Sequence, residues 1–142
     1  MICRSGAVER HVMSVNGQGV SIWLWDTGSQ EAYRSLLPSH YHYATAAIAV
    51  YDITNQASFD NLNRWIDQCQ LHAPSDVILA IVGAKTDLEA QRVVSREMAE
   101  QFAQSLSGKF KNIIVMECSA KTGEGVHELF EVICSIISNN NC

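Results

Sequence analysis

The sequence has little positive charge, no paired cysteine motif and no long apolar run. Its 142 residues carry 10 Lys and Arg against 15 Asp and Glu, a formal net charge of −5. This balance argues against electrostatic binding to nucleic acid. No apolar run could span a bilayer, and the chain does not start with a signal-peptide pattern. The five cysteines are odd in number and lack zinc-type spacing, so we expect an intracellular protein with reduced thiols.

The chain does contain enough apolar residues for one core. Hydrophobic residues make up 47% of the sequence and charged residues 18%, which is typical of a globular α/β protein and not of a disordered chain. A length of 142 residues leaves room for one domain. We therefore predict a single domain over residues 1–142, without repeats or linkers.

Strand and helix patterns follow one another along the sequence. Residues 8–15 and 20–25 predict two strands, and Asn16-Gly17 between them predicts a hairpin turn. After Pro38, strands at 44–52, 77–82 and 111–117 alternate with helical patterns, which favours a parallel α/β sheet. The first helix is predicted to begin at an N-cap, Ser58, and to end before Pro74. The second is predicted to begin at an N-cap, Ser95, and to end at Gly108. An apolar stripe from Val126 to Ile137 predicts the third.

Polar residues follow three of the predicted strands directly. They are Asp26, the segment Ala84-Lys85-Thr86-Asp87 and the segment Ser119-Ala120-Lys121. The carboxyl ends of strands in an α/β sheet meet at one edge, where ligands bind. Asp26 can hold Mg²⁺ through a water, and the amide of Gln30 can orient an attacking water. Taken alone, Asp26 fits a strand-end cap equally well and Gln30 an ordinary surface residue.

Together these motifs resemble the small GTPases of the Ras superfamily, and within it the Rab branch. The matching phrases are Trp25-Asp26-Thr27, Tyr33-Arg34-Ser35-Leu36, Val50-Tyr51-Asp52-Ile53-Thr54, Ser58-Phe59, Trp65 and Glu117-Cys118-Ser119-Ala120-Lys121-Thr122-Gly123. They extend from about Val12 to about Ile137 in the expected order. Within the Rab branch, residues 34–38 and 46–48 resemble endosomal Rabs in particular. The resemblance implies a Ras-like P-loop NTPase fold with a mostly parallel sheet.

The resemblance also implies GTP or GDP and Mg²⁺ as ligands. The positions that match its nucleotide-binding residues are Asp26, Ser29, Lys85, Asp87, Ser119, Ala120 and Lys121, with Gln30 catalytic and Asp26 near the metal. Asp87 would accept two hydrogen bonds from guanine, a donor pair that adenine lacks. Lys85 would lay its aliphatic stem across the base. The Ala120 N–H would meet the guanine oxygen, while its two neighbours fix the loop.

Three departures from the family pattern concern the nucleotide. Ala84 stands where the family has Asn, and Ser29 where it has Gly. The sequence contains no Gly-x-x-x-x-Gly-Lys-Ser/Thr motif, the loop that cradles phosphates. The resemblance therefore predicts a fold truncated at the N-terminus, without the first strand, phosphate loop and first helix. Two interior strand edges would be left unpaired, and efficient GTP hydrolysis is not expected.

Three functions stay open at this stage. They are a Rab-like switch impaired by the missing loop, a nucleotide-independent interaction module, and a fragment of an ordinary Rab. The resemblance implies exchange factors, activating proteins and effectors as partners, with Trp25 and Tyr41 in an effector-facing patch; alternatively, Trp23 and Trp25 pack under a helix. It also implies a cytoplasmic location, at the cytosolic face of endosomal or other transport membranes. Cys142 lacks a C-a-a-X motif and a second nearby cysteine, which favours a plain thiol over a prenylation site.

Overall fold

The computed structural model describes residues 8–15, 17–27 and 41–140. In chain order the elements are strands β1 (Val8–Val15), β2 (Gln18–Trp25) and β3 (Ala46–Asp52), helices α1 (Gln56–Asp60) and α2 (Leu62–His72), strand β4 (Ile78–Ala84), a 3-10 segment (Thr86–Gln91), helix α3 (Arg96–Ser105), strand β5 (Asn112–Cys118) and helix α4 (Val126–Asn140). The order of strands and helices confirms the α/β prediction.

Strands β1 and β2 form an antiparallel hairpin. Its register runs from Val8 opposite Trp25 to Val15 opposite Gln18. The side chains of β2 alternate as predicted: Val20, Ile22 and Leu24 are partly buried, whereas Ser21, Trp23 and Trp25 are exposed. Trp23 is 61% exposed and Trp25 55%, so the alternative in which they pack under a helix is wrong.

The second sheet is parallel, in the order β3-β4-β5. Its central strand is buried over residues 78–83, as expected for a strand covered on both faces. The register places Asp52 level with Ala84, and Ala84 level with Cys118. All three strands therefore end at the same height, and the residues after them share one edge of the sheet.

Helices cover both faces of this parallel sheet. On one face, α2 and α3 pack over a core that includes Tyr51, Ile66 and Ile81. On the other, Leu129 and Ile133 of α4 pack against Ala80 and Val82. Burying a large apolar side chain stabilises a fold by roughly 1.5–3 kcal/mol, so these two clusters hold the layers together. Within the described ranges, no helix has the length and apolar character needed to cross a membrane.

One predicted helix cap is confirmed and one is wrong. The Ser95 side chain accepts a hydrogen bond from the Met98 N–H at 3.2 Å and caps α3. Ser58, by contrast, lies inside α1, and Asn55 is the N-cap. The Ser58 hydroxyl instead accepts a hydrogen bond from the Asp52 N–H and donates one to the Asn55 carbonyl. A further break at Asn61 divides the predicted helix into α1 and α2.

A large cavity separates the hairpin from the parallel sheet. Its volume is about 870 Å³, and its walls come from β2, β3 and apolar side chains of α2 and α4, among them Ile66 and Ile133. Among the residues described, β2 pairs only with β1, and β3 only with β4. The hairpin and the parallel sheet are thus separate sheets with a mainly apolar space between them.

Candidate functional site

The level ends of β3, β4 and β5 bring together residues that are far apart in sequence. Lys85 follows β4 directly and Asp87 comes two residues later, while Ser119 follows β5 directly. A hydrogen bond joins Ser119 Oγ, the donor, to Asp87 Oδ1 at 2.6 Å, across 32 residues. The prediction that three strand-end segments share one edge of the same sheet is therefore confirmed for these two segments. It is wrong for Asp26, because β2 belongs to the separate hairpin sheet.

Ser119 is the structural centre of the second segment. It is fully buried, and its hydroxyl also accepts a hydrogen bond from the Thr122 N–H at 3.2 Å. Its backbone N–H donates to the Glu124 carbonyl at 2.9 Å, and its carbonyl accepts from the Gly123 N–H at 2.8 Å. Together with the bond to Asp87, these three bonds hold the turn after β5 in one conformation. Ala120 is exposed at the tip of this turn.

Gly125 lets this turn pack closely against β5. Its φ is +73°, and a Cβ atom at this position would clash with the Glu117 carbonyl oxygen. Both facts demand glycine, because L side chains rarely adopt positive φ and no space exists for one. Lys121, the other predicted residue of the segment, is exposed on the turn.

Lys85 adopts a left-handed backbone conformation, with φ 68° and ψ 39°. Its ammonium nitrogen Nζ lies 2.5 Å from Asp52 Oδ2, at the end of the neighbouring strand. The Lys85 side chain remains 57% exposed although its charge is paired. The aliphatic stem is therefore available to a flat ligand, while the ammonium is held at one side.

Asp52 was not among the predicted site residues. Its Oδ1 accepts hydrogen bonds from the Thr54 N–H at 2.8 Å and the Thr54 hydroxyl at 2.7 Å. The hydrogen bond from Lys85, followed by those from Thr54, lowers the pKa of Asp52 from 3.8 to about 2. An Asp two residues before a Thr at a strand end is a known turn signal, but it does not reveal the partner across the sheet.

Arg92 was also missed. Its guanidinium bonds both oxygens of Glu117, at 2.7 and 3.0 Å, and both oxygens of Glu89. The hydrogen bonds that Arg92 donates to Glu117, and then those it donates to Glu89, raise the pKa of Arg92, so it stays charged at any relevant pH. Arg92 thereby ties the chain after the 3-10 segment to the end of β5, two residues before Ser119.

The arrangement at this edge suits recognition of a planar base with adjacent N–H donors. Asp87 is exposed, so its carboxylate is accessible to a ligand even though one oxygen is held by Ser119. A carboxylate accepts hydrogen bonds and cannot donate them. The exposed stem of Lys85 and the backbone of Ala120 lie in the two segments that the Asp87–Ser119 bond joins.

The predicted metal and catalytic residues lie near the end of β2 in sequence. Asp26 is exposed directly after β2, whereas Ser29 and Gln30 lie outside the described residues. No group of three or more His, Cys, Asp or Glu side chains in the described ranges could hold a metal ion. A single carboxylate is compatible with Mg²⁺, which usually takes one or two and completes its shell with waters and substrate phosphates.

The hairpin presents a separate, largely apolar surface. Its exposed face carries Val8, Val12, Trp23 and Trp25, all more than 40% exposed. The Arg10 guanidinium lies 5.8 Å from the centre of the Trp23 ring and donates a hydrogen bond to Ser21 Oγ. We refer to these six residues as the hairpin face. Tyr41 is half-buried and lines the cavity beside Trp25 and β3.

Comparison with known protein families identifies a family to which this chain is similar. The sequence matches the model of the Ras family over residues 6–139, which covers nearly the whole chain. The matched range contains the hairpin, the parallel sheet and both strand-end segments.

Proposed function

Because this chain belongs to the Ras family, we propose that it acts as a Rab-like molecular switch in vesicle transport. The family itself establishes the coarser statement, a small GTPase-like nucleotide-binding switch with GTP or GDP and Mg²⁺ as its ligands. The Rab assignment rests on the phrases around Asp26, Asp52 and Ser119 that resemble this branch.

The hydrogen bond between Ser119 and Asp87 is the observation that best supports guanine binding. It holds the Asp87 carboxylate beside the turn that carries the Ala120 N–H. Guanine offers a ring N–H and an exocyclic amine to a carboxylate, and a carbonyl oxygen to a backbone N–H. Adenine offers neither the donor pair nor the carbonyl, so this constellation favours guanine.

The roles at the phosphate end are proposals from the family pattern. Asp26 would hold Mg²⁺ through a water, Ser29 would present its N–H to the last phosphate, and Gln30 would orient the attacking water. Bound Mg²⁺ supplies positive charge that neutralises the phosphates.

We propose that these functions are impaired in this chain. The sequence contains no phosphate-loop motif, whose backbone N–H groups and lysine carry much of the phosphate contact. Ala84 also replaces an amide that the family uses near the base, which removes a hydrogen bond worth about 1 kcal/mol. Guanine nucleotide should therefore bind with at best micromolar affinity, and hydrolysis should be slow.

Titration of the purified chain with GDP and with ADP, each with Mg²⁺, tests this proposal. We expect weak binding of GDP and weaker binding of ADP, with the difference abolished by Asp87→Ala. Asp67→Ala, an exposed carboxylate on α2, is the matched control and should leave the preference unchanged. Equal affinities for GDP and ADP in the unmodified chain would refute the base site. Nanomolar affinity for GDP would refute the impairment.

The hairpin face supports the second candidate, a nucleotide-independent interaction module. Val12 and Trp23 are each more than 60% exposed, and exposed apolar patches on soluble proteins commonly mark interaction sites. Binding of a purified Rab effector domain, measured with GDP, with a GTP analogue and with no nucleotide, separates the candidates. A switch requires the GTP analogue. A module binds equally in all three conditions, remains unaffected by Asp87→Ala and is weakened by Trp23→Ala.

Partners and location follow from the same proposal. We propose exchange factors, activating proteins and effectors as partners, at the cytosolic face of endosomal or other transport membranes. The terminal Cys142 lies outside the described residues. Mass spectrometry of the protein from cells would show whether this thiol is prenylated.

A further inference from the structure

Lys85 is the single non-glycine residue with a positive φ among the residues described. A left-handed backbone is unfavourable for a side chain that carries a Cβ, and it persists only where surrounding contacts impose it. The conformation starts the turn that leads from β4 to Asp87. The Leu88 N–H closes this turn by donating to the Lys85 carbonyl at 2.9 Å.

Asp52 is the contact that holds the far end of the Lys85 side chain. The register of β3 and β4 places Asp52 opposite Ala84, so its carboxylate lies next to Lys85. Its Oδ2 pairs with the ammonium at 2.5 Å, while its Oδ1 is fixed by Thr54. The backbone of Asp52 is held as well, because its N–H donates to Ser58 Oγ.

We propose that Asp52 is a positioning residue of the base site. This inference rests on the proposed guanine-binding function. Asp52 acts through Lys85: the anchored ammonium keeps the aliphatic stem in one orientation and stabilises the left-handed turn before Asp87. Ala84 has no polar side chain that could brace this turn, which leaves the bracing to the neighbouring strand.

A purely structural role for Asp52 is the rival explanation. In that case its contacts with Thr54 and Ser58 would stabilise the end of β3, and nucleotide binding would change only through general loss of structure. The two explanations differ in one respect. Positioning requires the charge on Asp52 and the presence of Lys85, whereas the contacts with Thr54 and Ser58 require neither.

A double-mutant cycle separates them. The four proteins are the unmodified chain, Asp52→Asn, Lys85→Met and the double variant. Asn keeps an oxygen for Thr54, and Met keeps an unbranched apolar stem. GDP and ADP are titrated with Mg²⁺, and binding is followed by NMR at the amides of Asp87 and Ala120. We expect Asp52→Asn to weaken GDP binding about two- to fivefold, the range of a partly exposed ion pair, and to have no effect in the Lys85→Met background.

Thr54→Val is the matched control, because it removes one hydrogen bond to Asp52 and leaves the ion pair intact. It should lower the melting temperature without changing GDP affinity. An equal loss of affinity from Asp52→Asn in both backgrounds overturns the positioning role, and so does a comparable loss from Thr54→Val. If the unmodified chain binds GDP no better than ADP, the proposed function fails and this inference fails with it. A preference for GDP together with additive effects overturns the inference alone.

Discussion

Arg92 and Glu117 form a two-point ion pair, with Nη1 to Oε1 at 2.7 Å and Nη2 to Oε2 at 3.0 Å. The side chains are only 19% and 15% exposed. Such bidentate geometry is the strongest form of a carboxylate–guanidinium contact. The pair joins the chain between the 3-10 segment and α3 to the end of β5, so it braces both segments of the candidate base site.

Removal of this guanidinium should be costly. Arg92→Met leaves the Glu117 carboxylate largely buried without its partner, and we expect a loss of about 3 kcal/mol in the free energy of unfolding. Arg96→Met is the control, since it breaks an exposed pair with Glu100 on α3 and should cost about 0.5 kcal/mol or less. Urea denaturation of both variants measures the difference. Similar losses would show that burial of the Arg92 pair is unimportant.

Gly83 packs so closely against Tyr51 that a larger residue at position 83 should lower the stability of the fold. A Cβ atom at Gly83 would lie 2.8 Å from Tyr51 Oη and 3.1 Å from Ile53 Cγ2. Since Tyr51 is 1% exposed, it has little room to move. Gly83→Ala should therefore cost about 1–3 kcal/mol through overpacking. Gly19→Ala is the control, because its Cβ would meet nothing closer than 4.0 Å; it should be neutral or slightly stabilising.

Removal of the Tyr51 hydroxyl should restore part of the stability that the Gly83→Ala variant loses. Within the described part of the chain, this buried hydroxyl has no hydrogen-bond partner. Burial, and then the nearby charge of Glu117, raises its pKa to about 12. Tyr51→Phe removes the hydroxyl and should stabilise the chain by about 1 kcal/mol. Combined with Gly83→Ala, it should recover part of the lost stability in thermal melts. Strictly additive effects would contradict contact between the two positions.

Strand β3 should exchange its amide hydrogens in an alternating pattern. The Ile53 N–H donates to Ala84, and the Thr45 carbonyl accepts from Ile78. Because successive peptide groups in a strand point to opposite sides, Ala47 and Ala49 also face β4. Ile48 and Val50 face the cavity edge, where β3 has no ladder partner among the described residues.

We therefore expect Ile48 and Val50 to lose amide protection well before Ala47 and Ala49, which serve as internal controls. Hydrogen exchange followed by NMR measures this difference. An apolar strand edge also promotes association, so we expect a loosely packed, protease-sensitive chain that aggregates as its concentration rises. Strong protection of Ile48 and Val50 in a monomeric sample would contradict this prediction and mean that another segment closes the edge.

Asp52 should make stability depend on acid pH. Its pKa is about 2 in the folded chain against an ordinary value of 3.8, so the folded state favours the charged form. The corresponding stabilisation is fully present above pH of about 4 and is lost as pH falls through about 2. The deficit of Asp52→Asn relative to the unmodified chain should shrink over this range in denaturation experiments. A deficit that is constant with pH would show that the Asp52 charge contributes nothing.

Sequence patterns located most elements because they reflect local requirements. The β1 strand, the alternating faces of β2 and the Ser95 cap agree with the structure. The predicted cap at Ser58 does not agree with the structure, because the Ser58 hydroxyl bonds the end of β3 and does not cap the helix. Asn55 is the N-cap because it lies in the turn after β3, one residue before α1 begins. A cap depends on the local path of the backbone, and two cap-forming residues three positions apart do not specify that path.

The sequence by itself determined the α/β alternation, the family and the strand-end motifs, because apolar periodicity and short motifs are written within single elements. Only the tertiary structure decided which charges meet. Asp52 reaches Lys85, and Arg92 reaches Glu117, through the parallel register and the chain path after β4. These partners are separated by 25 residues or more along the chain. Long-range pairing of charges depends on the order and register of the strands in the sheet, and no local sequence pattern encodes that order and register.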